Sequence, residues 1–284
     1  QNKRNPAAKK ATFIATPILA TLISVGLFLN PDLINNNQRD NKLNAGFTIG
    51  QYPTLEKLVQ LKKEGYTTII SLLHPSVIPF EPKLMAEEEV NAKKAGIELV
   101  SIPLLPWIND NEESIEKLRK LIRTTPGRIY IHCYLGRDRV NVAKAVILQE
   151  SKLQVAGRAD YRSLDSISAF ERGKVYKLDD KTFFIPMPTE EEYFGYVIAA
   201  DFKQVVSLKD LSNPESQASI GVESRWLAPY KIPLKVFNTN NFTEAKMKLI
   251  VDSVKSMNVP KVIHAFKSDE PEAQLFIKLF KKTP

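Results

Sequence analysis

This 284-residue sequence predicts an α/β protein of two tandem units, each a mostly parallel sheet flanked by helices, behind an N-terminal transmembrane helix. Three observations lead there. Strand-like runs rich in β-branched residues alternate with helical periods over 46–150, which is the pattern of a parallel sheet covered on both faces. Short segments of that region are echoed in the same order over 175–284. A charge-free run of eighteen residues stands ahead of both.

Taken in order, residues 1–11 form a basic flank with Lys3, Arg4, Lys9 and Lys10. Residues 12–29 are uncharged and would span about 27 Å as a helix, enough for a bilayer core, although Pro17 and four hydroxyl residues weaken the run. The excess of positive charge before the run predicts a single-pass membrane protein, its N-terminus on the cytoplasmic side and its domains on the other. Residues 30–45, rich in Asn, Asp and Gln, read as a polar linker.

The first unit opens with an edge strand from Phe47 to Pro53, then a helix capped by Thr54 and stopped at Gly65. Thr67 to Leu73 is a core strand, Pro82 to Ala95 a helix, and Ile97 to Ile102 a third strand. Glu112 to Arg123 places Ile115, Leu118, Leu121 and Ile122 on one side of another helix. The strand Arg128 to His132 leads into Cys133-Tyr134-Leu135-Gly136-Arg137-Asp138-Arg139, and a helix over Val140 to Gln149 follows.

That loop is the part of the chain whose residue types ask for chemistry. Backbone N–H groups of a loop turning into a helix N-terminus converge on one point and attract an anion. The same field favours a nucleophilic thiolate at Cys133. Gly136 lets the backbone approach the anion, and the planar fork of Arg139 suits two phosphate oxygens. Net charge is +8, which suits anionic substrates or membrane surfaces. No basic run is interleaved with stacking aromatics, so nucleic acid is not an expected partner. The lone cysteine excludes an internal disulfide.

The order His132-Cys133, five residues, then Arg139 resembles the signature loop of the cysteine-dependent protein tyrosine and dual-specificity phosphatases, and the Gly136-Arg137-Asp138-Arg139 ending is most similar to the branch ending Gly-Lys-Asp-Arg. The resemblance implies that Cys133 attacks phosphorus, that residues 134–138 (Tyr134, Leu135, Gly136, Arg137, Asp138) and Arg139 cradle the phosphate, and that His132 supports the cysteine. It implies a phosphorylated protein or lipid as substrate and needs neither metal nor cofactor. The family also uses an aspartate as general acid; Asp110 is the candidate, and Asp138 the alternative. One departure is Val140, where the family has Ser or Thr to help the thiolate leave.

Residues 151–174 read as a linker and 175–284 as a degenerate second copy. Ile185–Thr189, Val205–Leu208, Ile232–Leu234 and Val262–Ala265 echo Gly50–Thr54, Ile69–Leu72, Ile102–Leu104 and Tyr130–Cys133, at offsets of 135, 136, 130 and 132. Ala265 replaces the nucleophile, Glu270 and Pro271 replace Asp138 and Arg139, and Asn240 falls opposite Asp110. Two functions are therefore expected: a membrane-anchored phosphatase, or an idle phosphatase-fold scaffold among other subunits of a membrane complex.

Overall fold

The computed structural model describes residues 21, 40–151, 162–200 and 202–282. Its first sheet contains β1 (Asn41–Lys42), β2 (Phe47–Gln51), β3 (Tyr66–Ser71), β4 (Glu98–Ser101) and β5 (Arg128–Cys133), in the order β1-β2-β5-β3-β4. All neighbours are parallel except β1 with β2. β5 lies at the centre because its Ile, Tyr and Cys side chains are buried on both faces, which only a strand paired on both sides can satisfy.

Helix α1 (Leu55–Lys63) begins where the Thr54 hydroxyl accepts the Lys57 N–H. α2 (Phe80–Ala95) ends at Gly96, left-handed at φ 66°. These two cover one face of the sheet through Leu58, Leu61 and Ala92 against Ile69 and Tyr130. α3 (Glu112–Thr124) and α4 (Asp138–Ser151) cover the other, with Ile115, Leu118, Val142, Val146 and Ile147 buried against Ile129 and Ile131. Each such aliphatic contributes about 1.5–3 kcal/mol on leaving water.

A short 3-10 turn (Leu164–Ser166) and the hairpin β6 (Ala169–Phe170) and β7 (Gly173–Lys174) lead to the second sheet. It contains β8 (Tyr176–Lys177), β9 (Thr182–Pro186), β10 (Gln204–Lys209), β11 (Leu234–Asn238) and β12 (Lys261–Ala265), in the order β8-β9-β12-β10-β11. Again only the first strand runs antiparallel. Element for element this is the order of the first sheet. α5 (Glu190–Glu192), the π turn Tyr193–Ile198 and α6 (Pro214–Leu227) lie on its inner side, and α7 (Glu244–Lys255) and α8 (Pro271–Lys282) on its outer side.

One hydrophobic cluster runs from Ile129, Ile131, Val142 and Val146 of the first unit to Phe194, Val197, Val205, Tyr230 and Val262 of the second. The α3/α4 face of one unit thus packs on the α5/α6 face of the other. Polar contacts at its edges hold the register of this stack. Arg119 donates to Pro229 O at 2.8 Å, Gln149 to Tyr230 O at 2.9 Å, and Lys231 pairs with Glu150 at 3.0 Å.

Three sequence expectations change. The transmembrane helix at 12–29 and the membrane localisation built on it are not supported: no helix among the described residues is long and apolar enough to cross a membrane. The longest, α2, has 16 residues and carries Glu and Lys throughout; residues 12–29, except Thr21, lie outside the described residues. Within 151–174, Leu164 and Phe170 are buried in the shared core. The echo of Ile102–Leu104 in Ile232–Leu234 is out of structural register, because the former follows β4 whereas Leu234 opens β11 opposite Val205. A three-residue likeness is too short to set register, which hydrogen-bond pairing and burial decide.

Candidate active site

Cys133 ends β5 opposite Gln51, is 3 % exposed, and lies at the carboxyl end of the sheet, where ligands of open α/β folds bind. The loop turns over Gly136 at φ 64°. A Cβ there would lie 2.7 Å from Gln51 N and 2.8 Å from Gly50 C, both backbone atoms that cannot yield. Glycine is therefore required twice, for its conformation and for its closeness to β2. The Arg137 carbonyl accepts the Asn141 N–H at 3.0 Å and starts α4.

Arg139 returns to the same place, 7 % exposed. Its Nη1 donates to Leu72 O at 3.1 Å, to Glu81 Oε2 at 2.8 Å and to Leu104 O at 3.4 Å, and its Nη2 donates to Glu81 Oε1. The fork is thus seated by the ends of two strand connections and one carboxylate of α2. Burial draws its pKa down; the Glu81 bonds and the charges of Cys133, Glu81 and Asp138 outweigh this and set it above the ordinary value. Cys133 and Arg139 are therefore within electrostatic reach of one another. His74, beside this pair, has its pKa lowered by burial and by Arg139, against the pull of Glu81.

His132 points to the α2 side, fully buried, with Nε2 2.5 Å from Glu88 Oε1. Ser71 donates to the other Glu88 oxygen at 2.8 Å, and Tyr130 stacks on the imidazole at 6.2 Å. This network holds the strand end that carries Cys133. Sequence reasoning missed Glu81, Glu88 and His74. Two carboxylates seven residues apart on the inner stripe of α2, with Leu84 between them, were the available signal.

The two candidate acids lie apart. Asp138 opens α4 with its side chain 20 % exposed, and pairs with Arg162 through Nε–Oδ1 at 3.1 Å and Nη2–Oδ2 at 2.9 Å. Burial raises its pKa, and Arg162, Arg137 and Arg139 offset only part of that. Asp110 is exposed, at φ 59°, on the loop that runs from Leu104 to Asn111. Asn111 organises this loop: its side chain accepts the Leu105 N–H at 2.8 Å and donates to Trp107 O at 2.6 Å and to the Tyr230 hydroxyl at 3.2 Å. Ile108 N donates to Glu190 O of the second unit at 3.2 Å, and the charge of Asp110 reaches Glu190. Of the remaining loop residues, Tyr134 is buried, Leu135 partly buried and Arg137 exposed.

At the matching end of the second sheet Ala265 ends β12 opposite Pro186. His264 there bonds Glu223 at 2.6 Å, as His132 bonds Glu88. A cleft of about 650 Å³ opens at this end, lined by Lys209, Trp226, Phe266 and Glu270 among others. Burial raises the Glu270 pKa, with Glu272 and Asp269 adding to it and the Lys267 N–H opposing. Among the described residues, no group of three or more His, Cys, Asp or Glu side chains could hold a metal ion.

No family model matches this chain. A curated relative, the beta-lactamase hydrolase-like protein of Xylella fastidiosa, is 27 % identical over 94 residues, 33 % of this chain. The chain spans about a fifth of that relative's length, 21 %. Among solved structures, a suspected phosphatase of the DUF442 group from Shewanella putrefaciens CN-32 is 19 % identical, covering 43 % of this chain and 74 % of its own, with a TM-score of 0.36. TpbA of P. aeruginosa is 15 % identical over 39 % of this chain and 63 % of its own, at 0.31.

Proposed function

We propose that the first unit is a cysteine-dependent phosphatase hydrolysing phosphate monoesters of proteins or lipids, and that the second is a diverged copy that has lost the chemistry. The observation that carries the first part is the convergence of Cys133, the Gly136 turn and the buried guanidinium of Arg139 at the carboxyl end of the central strand. The Cys133 thiolate attacks phosphorus, the S–P bond forms and the ester P–O bond breaks, and the leaving oxygen takes a proton from Asp110. The loop carrying Asp110 starts at Leu104, whose carbonyl Arg139 already contacts. Arg139 offers Nε and the outer Nη2 hydrogen, which make no bond among the described residues, to the transferring phosphoryl group. Water then hydrolyses the phosphocysteine, and this step lacks a hydroxyl next to Arg139 because Val140 is a core residue.

The second part is supported by the shared strand order, by Thr54 and Thr189 as equivalent helix caps, and by the paired His132–Glu88 and His264–Glu223 contacts. A chromogenic aryl phosphate assay under reducing conditions tests the reading on the full chain. Turnover that vanishes in Cys133→Ser and falls in Asp110→Asn is expected. No release by the folded wild type would favour the scaffold instead, a reading to which the Glu81 grip on Arg139 lends some weight.

A further inference from the structure

Arg162 comes from the stretch joining the units, yet its guanidinium reaches back to the phosphate loop and takes both oxygens of Asp138. Asp138 precedes Arg139 directly, and the charge of each is felt by the other. A carboxylate so placed competes with any incoming oxyanion for the same guanidinium. We infer that Arg162 is a positioning residue of the cradle: by holding the Asp138 carboxylate outward, it keeps Arg139 open to phosphate.

The second unit in turn places Arg162. Its guanidinium carbon lies 5.7 Å from the Tyr196 ring centroid. Gly195 backs directly onto the pair: a Cβ there would lie 3.4 Å from Arg162 Cδ and 3.8 Å from Asp138 Cγ. Tyr196 and Gly195 both belong to the π turn, the element of the second unit that packs on α4. A π turn commonly marks a functional position, and here it gives the degenerate unit a hand in the chemistry of the other. The loop carrying Asp110 is held similarly, by Tyr230 and Glu190, but through bonds to backbone and Asn111 rather than to the phosphate cradle.

This inference rests on the phosphate reading of the cradle, and the test separates the two. Tungstate and inorganic phosphate binding to the full chain is measured by calorimetry, which needs no turnover. The proteins compared are wild type, Arg162→Ala, Arg162→Lys, Asp138→Asn and the double variant Arg162→Ala/Asp138→Asn. Arg162→Ala is expected to weaken binding about tenfold, Arg162→Lys to keep most of it, and the double variant to return to within about twofold of wild type. Equal binding by wild type and Arg162→Ala overturns the inference. So does a loss that Asp138→Asn does not restore, because a purely structural role for Arg162 would not be rescued by removing its partner's charge. A wild type that binds neither anion overturns the phosphate reading itself, and this inference falls with it.

Discussion

The carboxyl ends of β5 and β12 are the same place in two sheets of one strand order, and they carry different things. Both have a buried histidine bonded to a glutamate of the helix behind the strand, His132 with Glu88 and His264 with Glu223. Only the first has the thiol, the left-handed glycine, and the Arg139–Glu81 pair; Ser216 lies at the place on α6 that Glu81 has on α2, and Pro271 opens α8. In the first unit either partner alone would be a buried unpaired charge, which costs about 3–5 kcal/mol, and the second unit carries neither. The comparison separates what holds the strand end from what reacts at it.

The sharpest way to break it is to exchange the ends. Cys133→Ser should remove turnover of an aryl phosphate by roughly 10⁴-fold or more, while Ala265→Cys creates none, because the second loop offers carboxylates where the first offers arginine. Activity arising from Ala265→Cys in a Cys133→Ser background would show that the two ends are chemically equivalent. Gly136→Ala should lower activity about 100-fold and stability by about 1–3 kcal/mol, since it combines a positive φ with a backbone clash. Denaturant titration beside the assay separates the two effects.

The retained pairs predict matched losses of stability. Glu88→Ala and Glu223→Ala should each cost about 3–5 kcal/mol. The two losses should be alike, because each carboxylate receives one hydroxyl besides its histidine, Glu88 from Ser71 at 2.8 Å and Glu223 from Tyr193 at 2.5 Å. Equal loss of activity in the two variants would mean that Glu88 serves only to hold its strand. Val140→Thr should speed phosphocysteine breakdown several-fold, read as the rate after the burst in stopped-flow release, with a small cost for a buried hydroxyl.

The smallest effect concerns the seam between the units. Burial raises the Glu150 pKa, but bonds from Lys231, Arg123 and Arg119 outweigh it and lower the carboxyl from 4.5 to about 2. A depressed carboxylate stabilises the fold above its unfolded value and ceases to as pH falls through the folded one. Stability therefore drops between pH 4.5 and about 2 more steeply in wild type than in Glu150→Gln, as thermal unfolding across that range would show.

The sequence alone determined the loop from Cys133 to Arg139, because Cys133, Gly136 and Arg139 lie within one strand–turn–helix connection, and local spacing sets their geometry. It also marked the helix cap Thr54 and the alternation of strands and helices, which arise from neighbours along the chain. What surrounds the loop was decided by the tertiary structure alone. Glu81 reaches Arg139 across 58 residues, Arg162 reaches Asp138 across 24, and Tyr230 reaches Asn111 across 119. Such pairings leave no periodic trace, since the first depends on how α2 packs within its own unit and the other two on how chain beyond that unit folds back on it.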